Sequence, residues 1–451
     1  MHYLSLFVLF GVCLKAMTLQ ESISYALEHN NKLKSQNLSI DISKSLKAST
    51  KAKKFGRLDM MASYDHYNNA RTLAPLTPMA IVGSPDGAYT IPATNDMFNV
   101  GIAYNVVLFD GFAQRSAYEI SELQYKNSAI KTHLGKEELI YNVKNIYLSI
   151  LALEELLEAQ TIYTKAQEKL ADKIEKELKL GSKSRLDLLR AKTSVEASIS
   201  QETSIKANID ILKATISALM GGKEFDKSEP VDIFVLQDVK NDITHKEIIS
   251  LDRYKATQIN IKASEKKKLK AKSAYYPHVD FSAYYGQNFG PNATKNTVPL
   301  TSSAITAGQT LINEGDWNHE ANWQVGLHLK YNISDFGQTS AMNEEARLSY
   351  LKAKLESQGV EIELKKNIIT AQNKIKLAIA QYNSASKQYE LLSQTQKIEE
   401  VSYENDALSL IDLLNTRAKQ ELSYAKMIDS KYNYQKAKYY LDYLLEKGEV
   451  K

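Results

Sequence analysis

The chain has 451 residues, a net charge of +4 and 24% charged residues. It is long enough for two or three ordinary domains and too weakly basic to argue for a nucleic-acid partner. Its 8 prolines and 18 glycines are sparse punctuation, and its single cysteine rules out a disulfide framework.

Leu4 to Leu14 is an apolar run of signal-peptide length, too short to cross a bilayer. Residues 1–16 are expected to be removed by cleavage after Ala16, which leaves no thiol in the mature chain. Lipid modification of Cys13 is the alternative, although Val12 before it is bulkier than such sites tolerate. No other stretch is apolar enough for a membrane helix.

Residues 19–54 read as helix, with Leu19, Ile23, Ala26 and Leu27 at helical spacing. The period then changes to two over 57–65, which predicts a strand. Residues 66–96 hold Pro75, Pro78, Pro85 and Pro92, which predicts a loop. Alternation returns over 98–108. The spacing next predicts a helix over 112–178, where Leu139, Val143, Ile146, Ile150, Leu153 and Leu157 form a heptad seam. At 1.5 Å per residue such a helix is about 100 Å long, which suits a rod packed helix against helix. A return helix follows over 186–220, ended by Gly221-Gly222, and 223–243 reads as a linker.

The same order recurs over 244–447: strands at 278–286 and 322–333 around a loop at about 287–320, a long helix over 338–403 and a return helix over 409–446. Leu348, Leu355, Ile362 and Ile369 fall seven apart on the second long helix, and the basic run Lys262 to Lys272 reads as one wet helix face. Asp412 lies 225 residues after Asp187, and Asp335 lies 225 after Asp110. The chain is thus a tandem duplication, with 17–222 and 244–447 as its two copies.

Strands of nine or ten residues match a tilted bilayer-crossing strand. The positions expected to face a wet lumen are Asp59, Ser63, His278, Asp280, His328 and Lys330. Tyr64, Tyr104, Tyr276, Tyr331 and Trp323 are the candidates for aromatic girdles. A soluble hairpin with one wet and one dry side gives the same alternation. Four strands do not close a membrane barrel, and an open edge in lipid costs several kcal/mol per unpaired backbone group. Two copies of the chain would give eight strands and three would give twelve, the latter with room for a channel.

Between the long and return helices lie Gly181-Ser182-Lys183-Ser184-Arg185-Leu186-Asp187-Leu188-Leu189 and Asp406-Ala407-Leu408-Ser409-Leu410-Ile411-Asp412-Leu413-Leu414. Ser184-x-x-Asp187 and Ser409-x-x-Asp412 both have the spacing of a capping box, worth about 1 kcal/mol each. No His-x-x-x-His or His-Glu-x-x-His spacing occurs among the eight histidines, and Gly222-Lys223 lacks the upstream glycine of a phosphate loop. No catalytic residue, cofactor or metal-ligand set is therefore expected.

With the Gly-x-x-Ser-x-x-Asp-Leu-Leu turn and the strand exit Leu108-Phe109-Asp110-Gly111, essentially the whole mature chain resembles the TolC family of outer-membrane efflux ducts. The resemblance implies a mixed fold: a homotrimer with a twelve-stranded β-barrel in outer-membrane lipid, four strands per chain, continued by a long α-helical tunnel in the periplasm. It implies a passive duct for efflux or type I secretion, opened by a periplasmic adaptor, or membrane fusion protein. An inner-membrane pump of RND, ABC or MFS type would supply the energy. Cargo (drug, metal or protein) would be chosen by the pump. The tip turns carry the family's gate and adaptor contacts. Matched residue by residue, Gly181, Ser184, Leu186 and Asp187 fall on the first, and Tyr403, Leu408, Ser409, Ile411, Asp412 and Asn415 on the second. Asp406 replaces a usual glycine, and Leu408 and Asn415 replace an arginine and a second gate aspartate of the best-known member. A ring of three Asp412 carboxylates is then the candidate constriction, favouring cations and able to hold a divalent ion. Packing near 186–195 and 408–420 should be weaker than mid-rod, so that the tip can open. The competing structural reading is an exported coiled-coil or surface-fibre protein.

Overall fold

The structure, a computed structural model, describes residues 17–73, 93–231, 245–293, 314–405 and 407–448. The expected signal peptide with Cys13, the middles of both strand-connecting loops, most of the linker and Asp406 lie outside the described residues. In chain order the elements are α1 (Leu19–His29), α2 (Asn31–Ala52), β1 (Arg57–Thr72), β2 (Ala93–Phe109), α3 (Ala113–Lys179) and α4 (Arg185–Leu219). Then come α5 (His245–Ser250), α6 (Asp252–Lys272), β3 (His278–Pro291), β4 (Trp317–Lys330), α7 (Gln338–Glu404) and α8 (Leu410–Leu444).

The helix expected over 19–54 is broken at Asn30. The Asn30 side chain takes over the backbone's bonding: Oδ1 accepts from Leu33 N–H at 3.0 Å, and Nδ2 donates to the Leu219 carbonyl at 2.8 Å. The first bond starts α2 and the second closes the C-terminus of α4, so orphan groups of two helix ends are satisfied by one residue. The second copy also breaks its helix, between α5 and α6, and exchanges the roles. The Glu446 carboxylate accepts from the Asp252 and Arg253 N–H groups at 2.6 and 3.0 Å, while Arg253 Nη1 donates to the Tyr443 and Leu444 carbonyls at 3.0 and 3.2 Å.

The long helices start on matched aspartates. Asp110 Oδ2 accepts from Gln114 N–H at 2.8 Å, and Asp335 Oδ2 accepts from Thr339 N–H at 2.9 Å. Each sits where the chain leaves a strand and turns into α3 or α7, next to the positive end of the helix dipole.

The four strands form one antiparallel sheet in the order β1-β2-β3-β4, with β1 and β4 at the edges. The strands run longer than the nine or ten residues expected. β1 continues to Thr72, β2 begins at Ala93, β3 reaches Pro291 and β4 begins at Trp317, while β4 stops at Lys330 rather than 333. These extensions are mostly polar, with Phe289 and Trp317 as isolated aromatics, so alternation did not reveal them. The register sorts the side chains. Leu58, Met60, Tyr104, Ile102, Phe281, Tyr285, Trp323, Val325, Leu327 and Leu329 share one face, and Asp59, Ser63, Asn99, Asn105, Asp280, Ser282, His328 and Lys330 share the other. On the polar face the Tyr284 ring lies across Gly101 and Gly286, where a Cβ would collide with it, and its Oη bonds Asn99. At the loop end of the apolar face Tyr64, Phe98, Phe289 and Trp317 stack side by side, with centroids 4.8 to 6.3 Å apart. Of the expected girdle residues, Tyr64 is in that cluster. Trp323 is not at an edge: it is 74% exposed inside the apolar band, in one row with Met60, Ile102 and Tyr285.

The chain divides into two compact units, each drawing on both copies of the repeat. One holds the sheet and the helix segments of Ile42–Tyr125 and Asn260–Ala353. There Lys266 bonds Glu119 at 2.8 Å and Lys47 bonds Glu122 at 3.3 Å. The other, within Met1–Asp41, Lys126–Ile259 and Lys354–Lys451, holds three apolar cores among its described residues. The largest has 15 buried residues, among them Val143, Tyr147, Leu148 and Ile150 of α3 with Ile216 of α4 and Ile428 of α8. Tyr147 is buried, and its hydroxyl bridges the Met17 and Glu229 backbones at 2.7 and 2.9 Å. Burial pushes its pKa up to about 12. On α7 the core positions are Leu364, Ile368, Ala371 and Ile375. Leu348, Leu355, Ile362 and Ile369, the seven-residue series, are exposed and face away from their own chain.

Candidate functional site

The ends of the two helical hairpins, α3–α4 and α7–α8, share one small core. Leu170, Ala171 and Ile174 of α3 meet Ala191 of α4, Tyr403 of α7, and Leu410 and Leu413 of α8. The predicted turn residues gather around it.

At the first turn α3 ends on Gly181, whose φ of 79° is the left-handed conformation that glycine adopts without strain. Gly181 N–H bonds Leu178 O at 3.0 Å and Ser182 N–H bonds Glu177 O at 2.9 Å, the paired bonds of a Schellman end. Ser184 then caps α4. Its Oγ accepts from Asp187 N–H at 3.1 Å, and Asp187 Oδ2 accepts from Ser184 Oγ at 2.7 Å and from Ser184 N–H at 3.2 Å. The Ser184 hydroxyl, ahead of the backbone bond, holds the Asp187 carboxyl below its usual range.

The second turn repeats the exit bond, from Ala407 N–H to Ser402 O at 2.8 Å. Ser409 caps α8 by accepting from Asp412 N–H at 3.3 Å and donates its hydroxyl to Asp412 Oδ2, but no bond runs from Ser409 N–H to the carboxylate. Asp412 and Asn415 are both exposed.

The residues grouped as a gate stand in different surroundings. Asp187 is engaged in its own cap. Tyr403 is only 5% exposed and packs in the tip core, with Lys183 Nζ 4.7 Å from its ring centroid. Leu408 is half-buried against the same core, while Leu186 and Ile411 are exposed. Sequence reasoning passed over several neighbours. Lys183 reaches from the first turn to α7, and Lys173 of α3 pairs with Glu404 of α7 at 3.6 Å, so both link one hairpin to the other. Arg417, largely buried, bonds Glu400 at 2.6 Å, and Gln396 bonds the same carboxylate at 2.9 Å. The 17-residue separation of Glu400 and Arg417 is not a helical spacing and left no signal. Leu180, 83% exposed, and Leu189 add apolar surface to the first turn. A cleft of about 550 Å³ opens beside Tyr403, lined by Lys169, Lys173, Lys397, Glu400 and Arg417. Among the described residues no group of three or more His, Cys, Asp and Glu is placed to hold a metal ion, and no helix is long and apolar enough to cross a membrane.

The model of the outer membrane efflux protein family matches residues 22–222 and 254–445, one stretch in each copy of the repeat. The chain belongs to this family. Its fold is similar to that of CusC, at 14% identity and a TM-score of 0.76, over 95% of this chain and 91% of that one. It is similar to the Campylobacter jejuni outer membrane channel CmeC, at 16% identity and a TM-score of 0.76, over 95% and 86%. It is also similar to the Vibrio cholerae outer membrane protein VceC, at 13% identity and a TM-score of 0.73, over 95% and 96%. No curated protein matches the chain.

The protein is therefore an outer-membrane efflux channel, with its helical tunnel in the periplasm. Channels of this family are trimeric ducts rather than enzymes, and they work with an adaptor and an inner-membrane pump. Three four-stranded sheets supply twelve strands, and the open edges of β1 and β4 gain partners. Nothing in the fold supports the surface-fibre reading.

Proposed function

We propose that the paired tip turns are both the gate and the adaptor-docking surface of this duct, and that the polar sheet face lines its lumen. The observation that carries the gate is the size of the tip core. It has seven buried residues, against 15 in the core around Tyr147. The hairpins are held to each other at the tip by that core, by Lys183 over Tyr403 and by Lys173–Glu404. An adaptor that seats on exposed Leu180, Leu186, Leu189 and Ile411 would stabilise a splayed arrangement in which those links are broken, a shift of population rather than a pumped step. Asp412 and Asn415 stand at the surface of α8, and three copies of Asp412 around the axis form the constriction. Gly181, Ser184 and Ser409 act by fixing the turn shapes that the adaptor reads.

Asp59, Ser63, Asp280, His328 and Lys330 face the lumen, and the opposite apolar face meets lipid. The mature chain begins at Met17, which the Tyr147 hydroxyl fixes beside the linker. The adaptor couples the duct to an RND, ABC or MFS pump, which selects the cargo.

The test is conductance of the detergent-extracted trimer in a planar bilayer. Wild-type protein should give small, cation-selective currents, and Asp412→Ala should lower both the cation selectivity and block by divalent ions. Unchanged currents in Asp412→Ala remove the aspartate from the gate.

A further inference from the structure

Two of the eight histidines, His278 and His328, stand on the polar face of the sheet, at the helix-joined ends of β3 and β4. His278 Nε2 lies 2.9 Å from Asp280 Oδ1. His328 sits directly across from Asp280 on the neighbouring strand, with Nδ1 3.4 Å from Ser282 Oγ. Lys330 is the cross-strand partner of His278. β1 adds Arg57 and Asp59, paired at 2.5 Å, and β2 adds no titratable group to this face between Asn99 and Val107. Asp65 and Glu320 are on the same face at the far, loop end.

The charges at this end of the sheet cancel while the histidines are neutral: Arg57 and Lys330 offset Asp59 and Asp280. Histidine is the side chain that ordinarily changes charge between pH 5 and 8. Protonating both gives each chain a surplus of two positive charges, and a trimer six. A ring of like charge in a pore sets which ions pass.

We propose that His278 and His328 make the helix-proximal end of the barrel a proton-controlled selectivity collar, neutral in mildly alkaline medium and anion-attracting in acid. This rests on the reading of the polar face as lumen. The collar is separate from the tip. It lies in the sheet, and it responds to protons through imidazoles rather than through the carboxylate of Asp412. Among the described residues no other histidine shares this face: His66 and His319 are on the apolar face, and the remaining described ones are on helices.

The experiment is the reversal potential of trimers in a planar bilayer under a salt gradient, at low ionic strength so that screening does not hide the ring. It compares pH 8 with pH 5. Wild-type channels should shift toward anion selectivity on acidification, and most of that shift should be lost in the His278→Gln/His328→Gln double variant. His328→Lys should show part of the acid behaviour already at pH 8. An equal pH shift in the wild type and the double variant overturns the collar, as does a pH 8 reversal potential unmoved by His328→Lys. A water-soluble thiol reagent separates this from failure of the lumen reading. It should label His328→Cys and leave Leu327→Cys unlabelled. Labelling with no histidine-dependent shift defeats the collar alone, and absence of labelling at 328 defeats the lumen reading itself.

Discussion

The two tip turns have the same spacing and different chemistry. At the first, glycine ends the long helix and Asp187 accepts from both the hydroxyl and the backbone N–H of Ser184, closing the capping box. At the second, Asp412 receives only the Ser409 hydroxyl, and the backbone half of the box is missing. One carboxylate is spent on holding its own turn. The other stands exposed at the head of α8, beside Leu410 and Leu413, which are buried in the shared core. The duplicated motif thus closes its capping box in full in one copy and only in part in the second.

That contrast is most easily broken at Leu413, which is 1% exposed. Leu413→Ala should cost about 2–5 kcal/mol of local stability. Because the core joins both hairpins, bilayer conductance should rise, while a silent channel of unchanged stability would show that packing does not hold the tip. A smaller effect is expected from the caps. Ser184→Ala should cost about 1 kcal/mol, and Ser409→Ala less, since its box is half made. Hydrogen exchange at the first turns of α4 and α8 would rank them, and equal losses would erase the difference between the copies. The smallest effect is that of pH. Asp187 is held below its ordinary range in the folded chain, so its contribution is present at neutral pH and disappears as pH falls through that lowered value. Protection of the first turn of α4 should drop only in strong acid, and in Ser184→Ala that drop should move to higher pH.

Much of this architecture was legible in the sequence, because its signals are periodic. Leu139, Val143 and Ile150, seam positions of α3, are buried in the largest of the chain's own cores. The polar and apolar strand positions separate onto opposite faces as the alternation implied. The heptad series of α7 carried a different message. Leu348, Leu355, Ile362 and Ile369 repeat just as regularly, yet they are exposed. Periodicity reports that a face is apolar and not whose helix covers it. In a family of trimers that face suits a neighbouring chain. The break at Asn30 was hidden because asparagine is tolerated in a helix when nothing else claims its amide. Here the claimant is the Leu219 carbonyl, 189 residues away. The burial of Tyr403 was hidden for a related reason. Among its neighbours, Leu170, Ala171, Ile174, Ala191 and Lys183 come from the other copy.

The two helix breaks near the copy starts also bear on how such a chain arises. Asn30 holds the end of α4, and Glu446 with Arg253 joins the end of α8 to the start of α6. Each copy thus begins and ends at nearly the same place, like a ring with a clasp. A segment closed in this way can be copied head to tail in a gene with only a short connector. Neither copy need be threaded through the other, and each can seal its own ends before the next is synthesised.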